Sequence, residues 1–258
     1  SDMHTLGFAF KPWTAAKAIA DGPSIRSYLH ETMDEYALAG LVRFHHKVLG
    51  ADWDSGSKRW SLRVDTPQGK SVIATRFLFM CGGYYRYDQA YEAPIPGLDS
   101  FAGQRVHPQF WPEDLDYAGK RVAVIGSGAT AVTLVPAMAE RGAQVTMVQR
   151  SPTYVVSRPA QDRLANGLRA LLPEAWAYAL TRWKNIAFQR FFYQRTRTKP
   201  EDTKRRMLAM LKQTLPTEMV DAHFTPRYNP WDERVCLVPD GDLFKALRSG
   251  KASVVTGE

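Results

Sequence analysis

The sequence predicts an α/β chain, and three stretches predict it: a strand–turn–helix–strand unit over 121–148, strand candidates over 42–81, and a long helical stretch over 162–218. A strand period followed by helix length is the pattern of a parallel βαβ unit, whereas closely spaced strands broken by turn residues suit an antiparallel meander.

Taken in order, Pro23 to Ala39 has helical spacing, with Ser24 a plausible N-cap and Gly40 just past the end. Val42 to Leu49, Trp60 to Asp65 and Ser71 to Cys81 follow as strands, with Asp54-Ser55-Gly56 and Pro67-Gln68-Gly69 as the turns between them. The meander feeds an apolar run, Phe77-Leu78-Phe79-Met80, expected as a buried strand ending in Cys81-Gly82-Gly83. Pro94 to Gly97 reads as a linker. The segment Asp162 to Glu218 is rich in Trp and Arg and is interrupted near Pro173 and Pro200. Beyond Pro216 the chain turns irregular through Pro226, Pro230 and Pro239, and closes on a strand-like run from Ala252.

The unit over 121–148 carries the first chemical signal. Arg121 to Ile125 is β-branched and apolar, as a buried parallel strand requires, and breaks into Gly126-Ser127-Gly128-Ala129-Thr130-Ala131 before a helix from about Thr130 to Arg141. In such a Gly-x-Gly-x-x-Ala turn Gly126 allows the tight bend, Gly128 admits a pyrophosphate close to the backbone, and Ala131 lets helix and strand pack together. The unpaired N–H groups and dipole of the helix N-terminus then favour the anion. A second strand, Gln144 to Val148, completes the unit.

The end of that second strand selects the coenzyme. NAD wants a carboxylate there for the ribose 2′-hydroxyl, and a 2′-phosphate wants an arginine. Here Gln149-Arg150-Ser151-Pro152 supplies no acid, so NADPH is favoured, with Arg150 pairing the phosphate and Ser151 a further donor. A solvated arginine at a strand end is the plainer alternative.

Composition excludes several classes. A chain of 258 residues with 45% hydrophobic content can bury a sizeable core as one large or two modest domains. Its two cysteines, Cys81 and Cys236, exclude a disulfide framework and fit a reducing cytoplasm. No apolar run reaches membrane-spanning length. The net charge of +8 is concentrated between Arg182 and Arg206 without a groove-reading motif, so nucleic acid is not expected as a partner. A basic face suited to NADPH or to peripheral contact with an anionic membrane fits better. His4, His30, His45, His46 and His223 lack metal-ligand spacing, and no metal site is expected. With Ser1-Asp2-Met3 at one end and an uncapped strand at the other, the chain reads as an internal fragment.

A more specific pattern precedes the glycine turn. Phe101-x-Gly103-x-x-x-His107-x-x-x-Trp111-Pro112 matches at each defined position the fingerprint of the Baeyer–Villiger monooxygenases, and the chain resembles this family of class B flavoprotein monooxygenases along essentially its whole length. It looks closest to bacterial FAD-containing monooxygenases of the ethionamide-activating type through Ser1-Asp2-Met3, the segment from Phe79 to Tyr85 that includes Tyr84, Trp111 to Tyr117, Gly126 to Pro136, Gln149 to Val156, and Asn229-Pro230-Trp231-Asp232.

The resemblance implies a two-dinucleotide-binding-domain flavoprotein: a partial FAD domain over 1–93 lacking its phosphate loop, a fingerprint linker over 94–112, and a Rossmann-like NADPH domain over 113–258 with a helical insertion at about 160–222. It further implies that NADPH reduces FAD, and that a C4a-peroxyflavin inserts one oxygen atom from O2 into a ketone or adds it to sulfur. That peroxide must stay anionic, which calls for a nearby cation. The family's active-site arginine falls on Arg234, for which pairing with Asp232 or Asp240 is the structural alternative. Relatives usually carry Lys or Gln before this arginine; here a carboxylate, Glu233, would repel the nucleotide's phosphates, so either its side chain turns away or NADPH affinity is altered. His107 is expected as a hydrogen-bonding hinge rather than a base, with Phe101 and Trp111 burying the linker. An N- or S-hydroxylating flavin monooxygenase and, for the isolated chain, a non-catalytic NADPH-binding module are the competing readings.

Overall fold

In the computed structural model, residues 2–83 and 85–257 are described. Ser1, Tyr84 and Glu258, which figure in the resemblance and in the terminal strand, lie outside the described residues. Asp2 caps the short helix α1 (Met3–Leu6) by accepting from the Thr5 N–H at 3.1 Å. The next helix, α2 (Gly22–Glu35), starts two residues before Ser24, because Asp21 takes the Ser24 N–H at 2.9 Å and so acts as the cap expected of Ser24. It also stops short of Ala39: Ala37 has φ 51°, a left-handed conformation that ends helical propagation.

By their contacts, residues 27–111 form one unit, and residues 1–26 with 112–258 form another. In the first unit β1 (Lys47–Asp54), β2 (Arg59–Thr66) and β3 (Gly69–Thr75) make an antiparallel meander in the order β1-β2-β3. Asp54 closes the first turn by accepting from the Gly56 N–H at 2.8 Å and the Ser57 hydroxyl at 2.7 Å. Gly69, with φ 108°, supports the second. Leu62 and Val64 are buried, and Trp53 meets its cross-strand partner Trp60 at a centroid distance of 5.4 Å.

Two sequence expectations fail in this unit. The first strand begins at Lys47 rather than Val42, because the backbone before it turns at His45, with φ 57°. The run Phe77 to Met80 is not a strand: Phe77, Phe79 and Met80 are each about three-quarters exposed. A segment apolar on both faces needs pairing partners and two covering layers, and among the described residues it has neither.

The second unit contains the parallel βαβ element. Strand β4 (Arg121–Ile125), helix α3 (Ala129–Glu140) and strand β5 (Gln144–Gln149) run as the sequence requires. Strand β6 (Tyr154–Arg158) then leads into the helical insertion of α4 (Arg163–Leu171), α5 (Glu174–Thr198), α6 (Pro200–Lys212) and α7 (Thr217–His223). The breaks fall at Pro173 and Pro200, each at the start of a helix, where the missing N–H forfeits no hydrogen bond. Strand β7 (Val235–Pro239), helix α8 (Asp242–Arg248) and strand β8 (Ala252–Thr256) complete the unit.

Its parallel sheet has the order β4-β5-β8, and β6 and β7 form a separate parallel pair. The core joins Val132, Val135 and Met138 of α3 to Val145 and Met147 of β5 and to Leu243, Phe244 and Leu247 of α8. Strand β4 is less buried than its composition predicts. It lies at one edge of the sheet, and Ile125 is 61% exposed. Residues 2–19 are held to the rest of this unit by polar contacts: Ala18 N–H to the Ala160 carbonyl, and Arg182 to the carbonyls of His4 and Gly7.

Candidate functional site

The glycine turn follows β4 directly. Gly126 has φ 132°, which side chains other than glycine rarely adopt, while its N–H remains bonded to the Val148 carbonyl at 2.8 Å. Gly128 is the N-cap of α3 and offers no capping side chain, so the first N–H groups of the helix keep their donors for an external acceptor. A Cβ built on either glycine would meet nothing within 4 Å. The space above both residues is therefore open, and a methyl group at either position would fill it. Ala131, by contrast, is buried at the helix–sheet contact, as its place in the motif requires. Ala129 and Thr130 make the exposed or half-exposed first turn of the helix. A helix N-terminus with no capping side chain among the described residues and open space above its glycines fits a pyrophosphate.

At the end of β5, Gln149 is buried and its amide donates to the His223 carbonyl at 2.7 Å and to Thr256 Oγ1 at 2.9 Å. This side chain locks β5 to α7 and β8 and is withdrawn from solvent. Arg150 and Ser151 are the first exposed groups past the strand, and no carboxylate pairs with Arg150 among the described residues. The Ser151 carbonyl accepts from Ser127 Oγ at 3.3 Å, which ties the strand end to the glycine turn.

Arg234 stands immediately before β7. The structure sets it beside the turn, not beside an acid: Nε donates to Thr153 Oγ1 at 3.1 Å and Nη2 to Ser127 Oγ at 3.3 Å. The two carboxylates weighed as partners are engaged elsewhere, Asp232 with Arg197 at 2.6 Å and Asp240 with the Ala160 N–H at 3.0 Å. Arg234 is thus held by two neutral hydroxyls, and among the described residues no carboxylate pairs with it. Glu233 is exposed next to it.

The preceding Asn229-Pro230-Trp231-Asp232 turn presents Arg234. The Asp232 N–H bonds to the Asn229 carbonyl at 3.0 Å, and Trp231 is held at φ 68°. Beneath lies Cys236, buried, its thiol pushed up in pKa by desolvation despite the Arg234 charge. Tyr154 donates to the Tyr228 carbonyl at 2.6 Å and packs edge-on against that ring; burial, then the neighbouring Tyr228, raises its phenol.

The sequence gives Thr153 and Tyr228 no role of their own, and marks Gln149 only as the place where an acid is missing. The only signal for Thr153 was its place one residue before a strand, where its side chain would share a face with the residue one before the partner strand.

The fingerprint is described within the other unit, apart from Pro112, which begins the second. His107 Nδ1 accepts from the Gln109 N–H at 3.2 Å and closes the short turn of Pro108 to Phe110, a local bond within the linker. The expected burial of Phe101 is not found: the ring is 58% exposed. It lies over Gly103, where an added Cβ would push the ring aside. Trp111 is half-buried. Among the described residues no group of three or more His, Cys, Asp or Glu is placed to hold a metal ion, and no helix is long and apolar enough to cross a membrane.

The model of flavin-binding monooxygenase-like proteins matches residues 20–199. The chain belongs to this family. Among its curated relatives is the FAD-containing monooxygenase EthA of Mycolicibacterium smegmatis, 53% identical over 258 residues, covering 99% of this chain and 52% of the relative. The probable FAD-binding monooxygenase AlmA of Acinetobacter baylyi is 50% identical over 260 residues, 100% of this chain and 52% of the relative. The chain thus spans about half the length of the relatives it matches. In fold it resembles an oxidized steroid monooxygenase bound to NADP, with a TM-score of 0.76 at 22% identity, over 99% of this chain and 55% of that one. A cyclohexanone monooxygenase from Rhodococcus sp. Phi1 bound to NADP+ aligns with a TM-score of 0.65 at 19% identity, over 99% and 54%.

Proposed function

We propose that this chain is the central part of an FAD- and NADPH-dependent monooxygenase and that residues 113–258 form its NADPH domain, joined through the linker 94–112 to a partial FAD domain in 1–93, of which residues up to 26 pack in one unit with the NADPH domain. The observation that carries the reading is the open glycine turn, Gly126 to Ala131, with an arginine beside it that no carboxylate pairs among the described residues. The N–H groups at the start of α3 would hold the pyrophosphate, and Arg150 with Ser151 would take the 2′-phosphate.

When bound, FAD supplies the hydride acceptor and oxygen-activating centre, through which one atom of O2 enters a ketone or adds to sulfur and the other leaves as water. Arg234 contributes fixed positive charge where negative charge develops, and its hydroxyl partners leave that charge undiminished. His107, Phe101, Gly103, Trp111 and Pro112 set the register of the linker.

The chain holds one glycine turn of this type, which is why the isolated polypeptide is read as a nucleotide-binding module and the oxygenation is assigned to the longer parent. A peripheral lipid contact would fall on α5, where Trp176, Leu180 and Trp183 recur at helical spacing and are exposed; co-sedimentation with anionic vesicles tests it.

Calorimetric titration with NADPH and NADH, with and without FAD, tests the main reading. NADPH should bind and FAD should not be retained. Arg150→Ala should weaken NADPH about 10- to 100-fold, the scale of one or two hydrogen bonds to a charged group, and leave NADH unchanged. Equal NADPH affinity in the variant would remove the 2′-phosphate role.

A further inference from the structure

We propose that Thr153 is the positioning residue for Arg234: its hydroxyl fixes the plane of the guanidinium so that the charge faces the glycine turn. The inference rests on the NADPH reading of that turn and adds a residue to which the sequence assigned no role.

The geometry is a two-point clamp. Arg234 Nε–H goes to Thr153 Oγ1 and Nη2–H to Ser127 Oγ, so both contacts lie along one edge of the guanidinium and its rotation is arrested. With only the Ser127 contact the side chain could pivot about a single bond. The Nη1 group makes no hydrogen bond among the described residues, leaving the opposite edge for an anion.

Thr153 is built for the task. It is 2% exposed, and its β-branched side chain is stiff about χ1. Tyr154 of β6 is registered on Val235 of β7 in a parallel pair, so Thr153 and Arg234 stand level, each one residue before its strand. Their separation is set by the sheet rather than by a loop. The Thr153 oxygen also lies 3.4 Å from the Tyr228 hydroxyl and 3.5 Å from Ser127 Oγ. Ser127 Oγ donates in turn to the Ser151 carbonyl. The network contains hydroxyls and a carbonyl but no carboxylate, so it orients the arginine without neutralising it. An aspartate in place of Thr153 would orient it equally well and cancel its charge.

The test combines a readout of the arginine itself with one of nucleotide binding, on the full chain. In NMR spectra the Arg234 Nε–H signal should be protected from exchange, lose at least tenfold of that protection in Thr153→Val, and regain it in Thr153→Ser. Affinity for NADP+ should fall about tenfold in Thr153→Val, the scale of one hydrogen bond to a charged group, and recover in Thr153→Ser. Arg234→Met should lose as much, and the double variant no more than the Arg234→Met chain alone. An unchanged Nε–H signal in Thr153→Val, or losses that multiply in the double variant, overturns the proposal. If the parent chain does not bind NADP+ while the Nε–H signal still depends on Thr153, the coenzyme reading fails and the positioning role stands.

Discussion

Replacing Gly128 by alanine separates folding from binding in this chain. The backbone there has φ −80° and ψ −176°, open to any L-residue, and a Cβ would meet no atom within 4 Å. Alanine is a poorer N-cap than glycine, so the stability cost should be about 1 kcal/mol or less. The new methyl nevertheless occupies the space over the helix N-terminus. A phosphate oxygen must come to about 2.9 Å from an N–H, and a carbon in that path holds it off. Losing one such charge-assisted bond costs about 1.5–3 kcal/mol, or roughly 10- to 100-fold in affinity. Gly126→Ala is the contrasting case: at φ 132° an alanine is strained by about 1–3 kcal/mol, so this variant should lose stability as well as binding. Urea unfolding gives the first quantity and calorimetric titration with NADP+ the second. A Gly128→Ala chain that binds NADP+ as tightly as the parent, with an unchanged urea midpoint, would show that the phosphate lies elsewhere.

Two further outcomes concern stability. His4 is 2% exposed, and both its ring nitrogens and Thr181 Oγ1 lack hydrogen-bond partners among the described residues; burial lowers its pKa, with Arg169 and Lys184 acting in the same direction against Asp2 and Asp162. The unfolded chain therefore binds a proton more readily than the folded one, so this stability is full above about pH 6.5 and is lost as pH falls through the lowered folded value. His4→Phe should flatten that dependence in urea midpoints measured between about pH 7.5 and 5.5; an unaltered slope assigns it to other groups. Asn185→Leu should destabilise by about 1–3 kcal/mol, because the buried Asp2 carboxylate loses the Asn185 amide donor at 3.0 Å and keeps, among the described residues, the Thr5 N–H and Gln189. A variant as stable as the parent in urea would mean that this bond is replaced.

Much of the site was legible where local rules suffice. Gly126 declared the turn because its φ of 132° favours glycine, Gly128 did so through the spacing of the motif, and Pro173 and Pro200 marked the helix breaks because a proline at a helix start forfeits no hydrogen bond. The position of Arg234 was accessible only through resemblance, since nothing in its neighbourhood of sequence points to residues 127 and 153. Those contacts arise from strand register over long separations. Phe77 to Met80 was misread for the opposite reason: its composition fits a buried strand, but burial is a property of neighbours, not of the segment. Asp21 displaced Ser24 as a cap because either side chain satisfies the rule and only the observed geometry chooses between them.

The burial of Gln149 bears on any attempt to change coenzyme preference. A conventional redesign toward NADH would install glutamate at the end of β5. Here that side chain is turned into the core, and the exchange would place a charge opposite the His223 carbonyl while removing two amide contacts. On the proposed NADPH reading the switch falls one or two residues later, at Arg150 or Ser151, with Gln149 left as the bolt that keeps three elements of the scaffold in register.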